Sequence, residues 1–454
     1  MSNRTITPEL MDLASHCKIN EHIYEELSLA YQVKRGLRDK DGSGVLVGIT
    51  EISEVDAFID NPDGTRTPIN GELYYRGYNI NDIIRNNNKS SNHFGFEESL
   101  YLLLFGELPN KTEFKNFVSL LSEYRELPPT FLRDILMMSP SKDLMNVMAR
   151  SVLTLYSYDS FSDDISIPNV LRQCLQLISI FPLLAVYGYQ IFRHYSCGDS
   201  LVIHAPKKEL STSENILYML RPDHKYTSHE AKLLDTCLIL HMDHGGGNNS
   251  TFTNHLVTST GTDTYSAMAA SLGSLKGPRH GGANIKVVKM MEDIKQNVSD
   301  WEDEEELKAY LLKILHKEAF DKTGLIYGMG HAVYSLSDPR EVLLHKVAKT
   351  VSRDKDNTKE FELYERVARL APQIIVQECP VQNGVSANVD FFSGYVYHLL
   401  NLPEQLYTPI FAIARIGGWS AHRLEELLCE NKIMRPAYIN IMPHREYVPM
   451  KDRK

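Results

Sequence analysis

From Phe96 onward, apolar residues recur at the three- and four-residue spacing of helices that bury one face. The segments FEESLYLLLFGELP, KTEFKNFVSLLSEY, SKDLMNVMARSVLTLY, EAKLLDTCLILHMDH and FELYERVARLAPQIIVQE all carry it, with short breaks between them. Many such segments beside few strands predict an all-α fold rather than a parallel α/β sheet. The stretch from Gly42 to Tyr78 is the exception. Its β-branched runs, such as VLVGITEI, and the turn signal Asn61-Pro62-Asp63-Gly64 predict small hairpins. The longest apolar run, Leu177 to Val186, falls short of the roughly 20 apolar residues that span a bilayer. It predicts a buried core helix, kinked at Pro182. The charged stretches Asp300 to Glu306 and Arg353 to Glu360 read as solvated helix starts or loops.

A length of 454 residues admits two or three domains. With 43% hydrophobic and 23% charged residues, an ordinary globular protein with ample core is expected. A net charge of −10 argues against broad nucleic-acid binding, which needs a basic footprint. Anions could bind only where arginines and histidines gather. The six cysteines (Cys17, Cys174, Cys197, Cys237, Cys379, Cys429) form no C-x-x-C pair, which suits reduced thiols better than a disulfide scaffold or zinc ribbon. The N-terminal residues lack the apolar stretch of a secretory signal, and Glu9 and Asp12 disfavour a mitochondrial leader. A cytoplasmic protein without membrane partners is therefore expected. Gly42-Ser43-Gly44 precedes no helix, and Gly245-Gly246-Gly247 lacks the Gly-Lys-Ser/Thr end of a phosphate loop, so neither marks a nucleotide site. No repeat of 20 to 50 residues is present.

Four distant regions concentrate His, Asp and Arg beside glycine. They are Leu240 to Asn248 (LHMDHGGGN), Gly273 to Asn284 (GSLKGPRHGGAN), Gly328 to Tyr334 (GMGHAVY) with Asp338-Pro339-Arg340, and Asn388 to Gly394 (NVDFFSG). In the first, a helix end with i,i+3 spacing would set His241 and His244 near one face. A satisfied core histidine and a shared zinc are the competing readings there. The sequence is not H-E-x-x-H, no other cluster shows a recognised ligand spacing, and no metal is expected. In the second region Gly277-Pro278 stops a helix rich in small residues, leaving backbone that can approach a ligand.

Taken together and in order, H-x-D-H, G-P-x-H-G-x-A-N, G-x-G-H-A-V…D-P-R and N-V-D-x-x-S-G resemble the active-site motifs of the citrate synthase family. Arg415 in IARIGGWSAH and Arg435 in MRP also match, and the similarity runs from about Leu37 to the end. The resemblance implies condensation of acetyl-CoA with oxaloacetate and water to citrate and CoA, the entry to the tricarboxylic acid cycle. Asp390 resembles the family's general base, His280 the group that hydrogen-bonds the thioester oxygen, and His331 the acid that polarises the keto oxygen. His244, Arg340 and Arg415 resemble the residues that grip oxaloacetate, with Arg435 contributed by a partner subunit. Arginine suits that task because its planar fork meets a carboxylate bidentately. Gly328, Met329 and Gly330 resemble the loop that offers its backbone to the coenzyme. No tightly bound cofactor is implied; the CoA thioester is a substrate, and a homodimer is the implied assembly.

The resemblance also implies an all-α fold with a large domain, residues 1–281 and 401–454, and a smaller helical insert, residues 282–400, closing over the site. Two departures stand out: Gly245 replaces a glutamate that many relatives carry after H-x-D-H, and Ser335 lies where some have a basic residue near the coenzyme phosphates. The main alternative is 2-methylcitrate synthase, the same chemistry on propionyl-CoA. A methylene in an apolar pocket is worth only about 1–3 kcal/mol, so the residues do not separate the two. A metal-dependent hydrolase using the four histidines with Asp390, or a non-catalytic binding protein, are remoter alternatives.

Overall fold

The computed structural model of the chain describes every residue except 1–5, 16–20, 40–42, 64, 88–93, 332, 380–383, 430–431 and 454. Helices dominate the order of elements, as the periodicity predicts. Three strands form one antiparallel sheet: β1 (Ser53–Asp60), β2 (Arg66–Tyr75) and β3 (Tyr78–Asn79). The β1–β2 register pairs Ser53 with Tyr75 and Asp60 with Arg66, across the turn that the Asn-Pro-Asp-Gly signal marks. Gly64 itself and Gly42 lie outside the described residues. The VLVGITEI run is not a strand: Val45 to Thr50 are extended without ladder partners, and Leu46 and Ile49 are exposed. β-propensity records packing against a neighbouring strand, and among the described residues this run has backbone partners at its ends alone: the Val45 amide donates to the Leu37 carbonyl (2.8 Å) and the Arg76 amide to the Ile52 carbonyl (2.9 Å).

The helix Tyr407–Cys429 is the axis of the core, buried at every position from Tyr407 to Leu424. Around it pack Phe96–Phe105, Ile167–Cys197, Ser228–His241, Asn249–Thr258 and Thr264–Lys276. The Gly417-Gly418 pair permits this density. A Cβ at Gly418 would collide with Asp243 Oδ1 and the Met242 carbonyl, and one at Gly417 would lie 2.9 Å from Leu100. The segment after Ser228–His241 can therefore lie directly on the central helix. Ile167–Cys197 continues through Pro182 and is long and apolar enough to cross a membrane, yet its apolar stretch is mostly buried inside the protein. That is the buried core helix that the sequence predicts.

A second group of helices, Ala283–Asn297, Glu304–Leu315, Pro339–Asp354, Thr358–Glu378 and Val389–Leu399, packs largely within itself. Asp303 caps Glu304–Leu315 by accepting from the Glu305 and Glu306 amides, so the first charged stretch is a helix start. The second bridges the end of Pro339–Asp354 and the start of Thr358–Glu378. The two groups meet the sheet through β2. There the Gly71 amide donates to the Ser337 carbonyl (3.1 Å) and the Tyr334 hydroxyl to the Glu72 carbonyl (3.2 Å). Cys174, Cys197, Cys237, Cys379 and Cys429 are free thiols; Cys17 lies outside the described residues.

Candidate active site

A cavity of about 1650 Å³ opens between the end of Ser228–His241, the turn before Ala283–Asn297, the loop before Pro339–Asp354 and the start of Val389–Leu399. His244, His280, His331, Arg340, Asp390 and Arg415 all face it, although up to 171 positions separate them in sequence (415 − 244). Arg435 does not: it is exposed in the C-terminal segment. Of the coenzyme loop, Gly330 lines the cavity while Gly328 and Met329 do not. The Cβ direction of Gly328 (φ +78°) is filled by Phe391 and Val287, and Met329 bridges to Ala387. The backbone there serves the packing of the loop rather than an open face.

Backbone pairing joins the third and fourth motifs. The Gly330 amide donates to the Ser386 carbonyl (2.8 Å), the Asn388 amide to the Gly328 carbonyl (2.9 Å), and Asn388 Nδ2 to the Gly330 carbonyl (2.8 Å). Asn388 then caps Val389–Leu399 through the Asp390 amide (3.0 Å), which places Asp390 in the first helical turn. A helix N-terminus favours the carboxylate. Here burial wins: Asp390 Oδ1 is enclosed without a hydrogen-bond partner among the described residues, and burial lifts the carboxyl to about 7 despite the opposing pull of Arg340 and Arg415. A carboxyl poised near neutrality is suited to general-base work.

The histidines are kept neutral. Burial, reinforced by Arg340, lowers His331 to about 4; burial, reinforced by Arg415 and Arg340, lowers His280 to about 3; His244 is pushed down by burial and then Arg340. His331 Nδ1 accepts from the Val333 (3.0 Å) and Tyr334 (3.1 Å) amides. The one proton of the neutral ring is thus assigned to Nε2, which becomes a donor. His280 Nε2 lies 3.0 Å from Ser250 Oγ, which also accepts from Trp419 Nε1 (3.2 Å) and reaches Asn248 Oδ1 (3.0 Å). When the serine proton points to His280, Nδ1–H of that ring is the donor; when it points to Asn248, the ring reverses.

The two arginines differ. Asp338 caps Pro339–Asp354 and takes Arg340 Nε (3.0 Å) and Nη2 (2.7 Å). Asp338 thus occupies the Nε/Nη2 edge of Arg340, and a ligand carboxylate meets the remaining Nη1/Nη2 end of the guanidinium. Arg415 Nε donates to the His241 carbonyl (2.8 Å), while Nη1 and Nη2 are buried with no partner among the described residues. Leaving a buried guanidinium unpaired is costly, so an anion is the natural complement. Burial lowers Arg415 to about 10, and the residue still carries its charge at neutral pH. His244 Nε2 is likewise buried and unpartnered.

The helical placement of the first motif needs correction. Ser228–His241 ends at His241, so His244 lies beyond it and the i,i+3 reasoning does not apply. His241 is fully buried, stacked on Phe411 at 4.3 Å, outside the cavity lining. Asp243 turns away as well, to Ser53, the Gly245 amide (3.0 Å) and His422 (3.3 Å). Burial alone would raise Asp243, but His422 and Arg415 hold it below the usual carboxylate range, and Asp243 in turn lifts His422 to about 9 against burial. Ser250, Trp419, Phe411 and Tyr334 complete the surroundings. Reading the sequence alone misses them because each is a common core residue, identified only by what it touches. Ser335 also lines the cavity, with its hydroxyl buried.

A family model described as "Citrate synthase, C-terminal domain" matches residues 41–437. The chain is 32% identical over 415 residues to a citrate synthase of Synechocystis sp., covering 89% of this chain and 93% of that one. It is 30% identical over 388 residues to a 2-methylcitrate synthase of Shewanella oneidensis, covering 84% and 92%. Among solved structures, citrate synthase from Thermotoga maritima aligns with a TM-score of 0.71 at 30% identity, covering 93% of this chain and 99% of that one. Citrate synthase from Thermoplasma acidophilum, in a ternary complex with carboxymethyl coenzyme A and oxaloacetate, aligns with a TM-score of 0.75 at 25% identity and the same coverage.

Proposed function

Because the chain belongs to the citrate synthase family, we propose that it condenses acetyl-CoA with oxaloacetate and water, giving citrate and free CoA. One observation carries the reading: a carboxyl near neutrality, two neutral histidines and an unpaired guanidinium fork face one cavity. Asp390 takes a proton from the acetyl methyl. His280 Nδ1–H donates to the thioester oxygen as the enol forms, which requires the Ser250 hydroxyl to turn its proton from Asn248 Oδ1 to His280 Nε2. The enol carbon attacks the keto carbon of oxaloacetate, and His331 Nε2–H donates to the oxygen that becomes the citryl hydroxyl. Arg415 and Arg340 neutralise the two carboxylates, with His244 Nε2 adding a donor. Water then cleaves the citryl thioester.

Residues 282–400 act as a smaller domain that closes on oxaloacetate before acetyl-CoA enters, which excludes water until the carbon bond exists. The protein works as a homodimer in the cytoplasm, and Arg435 reaches the oxaloacetate site of the partner subunit. No tightly bound cofactor takes part in the condensation.

Relatives bearing the 2-methylcitrate name reach 30% identity, close to the 32% of those bearing the citrate name, so the acyl group is the point to test. The experiment compares kcat/KM for acetyl-CoA and propionyl-CoA with oxaloacetate, following the released thiol. Acetyl-CoA is expected to win. A preference for propionyl-CoA would assign the second activity, and no thiol release with either would overturn the proposal.

A further inference from the structure

Behind the cavity, on the far side of Asp243, two helices bring together groups that the condensation does not use. His255 stands on Asn249–Thr258; His422 and Glu425 stand one turn apart on Tyr407–Cys429. His255 Nε2 lies 3.0 Å from His422 Nδ1, Glu425 Oε2 lies 3.7 Å from that same Nδ1, and all three atoms fall within 4.8 Å of one another. Their side chains are 12%, 0% and 13% exposed.

What surrounds the three groups matches what a metal centre needs. The remaining nitrogen of each ring meets a carboxylate: His255 Nδ1 lies 2.7 Å from Glu426 Oε2, and His422 Nε2 lies 3.3 Å from Asp243 Oδ2. Such carboxylates orient metal-binding histidines and strengthen them as ligands. Glu425 is steered too. Its Oε1 accepts from the Glu51 amide (2.9 Å), which turns Oε2 inward, where it is buried and faces His422 Nδ1 at 3.7 Å. Gly246 leaves the approach open, since the nearest atoms to its missing Cβ are His255 Nε2 and His422 Cε1, both at 3.7 Å.

We propose that His255 Nε2, His422 Nδ1 and Glu425 Oε2 form a structural site for a divalent transition-metal ion of the zinc class, with a fourth position left for water. Two imidazoles and a carboxylate are a donor set that zinc accepts in tetrahedral geometry. The ion takes the place of the proton now shared between the rings. It ties Asn249–Thr258 to the central helix and to the Thr50–Glu51 backbone, behind the loop that carries His244. Its role is to hold that loop, not to touch substrate.

The test uses the full-length chain after chelation. Calorimetric titration with Zn²⁺ should give one ion per chain, and thermal unfolding should move upward with Zn²⁺. Substitution with Co²⁺ should give the visible bands of a four-coordinate nitrogen–oxygen site without thiolate charge-transfer absorption, which separates it from the exposed Cys197 and Cys429. Separate His255→Gln and Glu425→Gln variants should each weaken Zn²⁺ at least on the order of 10–100-fold, the effect expected even of groups one shell further out. Both should keep the condensation rate of the metal-free protein. Zn²⁺ binding that is absent from the wild-type chain, unchanged in both variants, or dominated by thiolate bands would overturn the proposal.

Discussion

Replacing Asp390 with Asn separates what the carboxyl does for chemistry from what it costs the fold. The group is lifted from 3.8 to about 7, roughly three pH units. At about 1.36 kcal/mol per unit, ionising it in place weakens the native state by roughly 4 kcal/mol at most. Below pH 3.8 both the folded and unfolded carboxyls hold their proton, and nothing is lost. Between 3.8 and about 7 the unfolded chain releases its proton while the folded chain keeps it, so stability falls as pH rises. Above about 7 the loss is complete. Asn cannot ionise, so the variant should match the wild type near pH 4 and exceed it by about 1–4 kcal/mol at pH 8, read from denaturant midpoints. Over the same range wild-type kcat/KM should fall toward acid with a midpoint near 7. The variant should be about 10²–10⁴-fold slower, without that limb. A variant no more stable than wild type at pH 8, or one with near-normal turnover, would refute the reasoning.

His280→Gln should abolish exchange of acetyl methyl protons in the presence of a non-condensing oxaloacetate analogue, while His331→Gln should preserve exchange and slow carbon bond formation; the opposite pattern would reverse their roles. Ser250→Ala should lower kcat by about tenfold or more and leave oxaloacetate affinity unchanged, because of its three partners, His280, Trp419 and Asn248, His280 alone is assigned a role in the chemistry. Gly418→Ala should destabilise by about 1–3 kcal/mol in denaturant titrations, since its Cβ would overlap Asp243 and Met242. Mixing an Arg435→Ala chain with an Asp390→Asn chain should restore up to about half of the sites in verified heterodimers, each parent being nearly inactive; heterodimers as dead as their parents would place Arg435 outside the partner's site.

The helical class and the helix positions were legible in the sequence because amphipathic periodicity is a local signal, repeated every few residues. The motif residues His244, His280, His331, Arg340, Asp390 and Arg415 were legible through resemblance, and all six reach one cavity. Other features depend on neighbours distant in sequence. VLVGITEI has the composition of a strand but finds backbone partners only at its ends, Val45 and Ile52, among the described residues. The helix ends before His244, and Gly328 and Met329 spend their backbone on packing. An aspartate in a first helical turn reads as an ordinary carboxylate until burial raises it. His255 and His422, separated by 167 positions, become a pair only because two helices cross at that point. Hydrophobic spacing and residue identity thus determined the fold class and which groups could do chemistry. Tertiary structure alone decided their protonation, their partners and their exposure, because desolvation and hydrogen bonding act through space and leave no trace in local spacing.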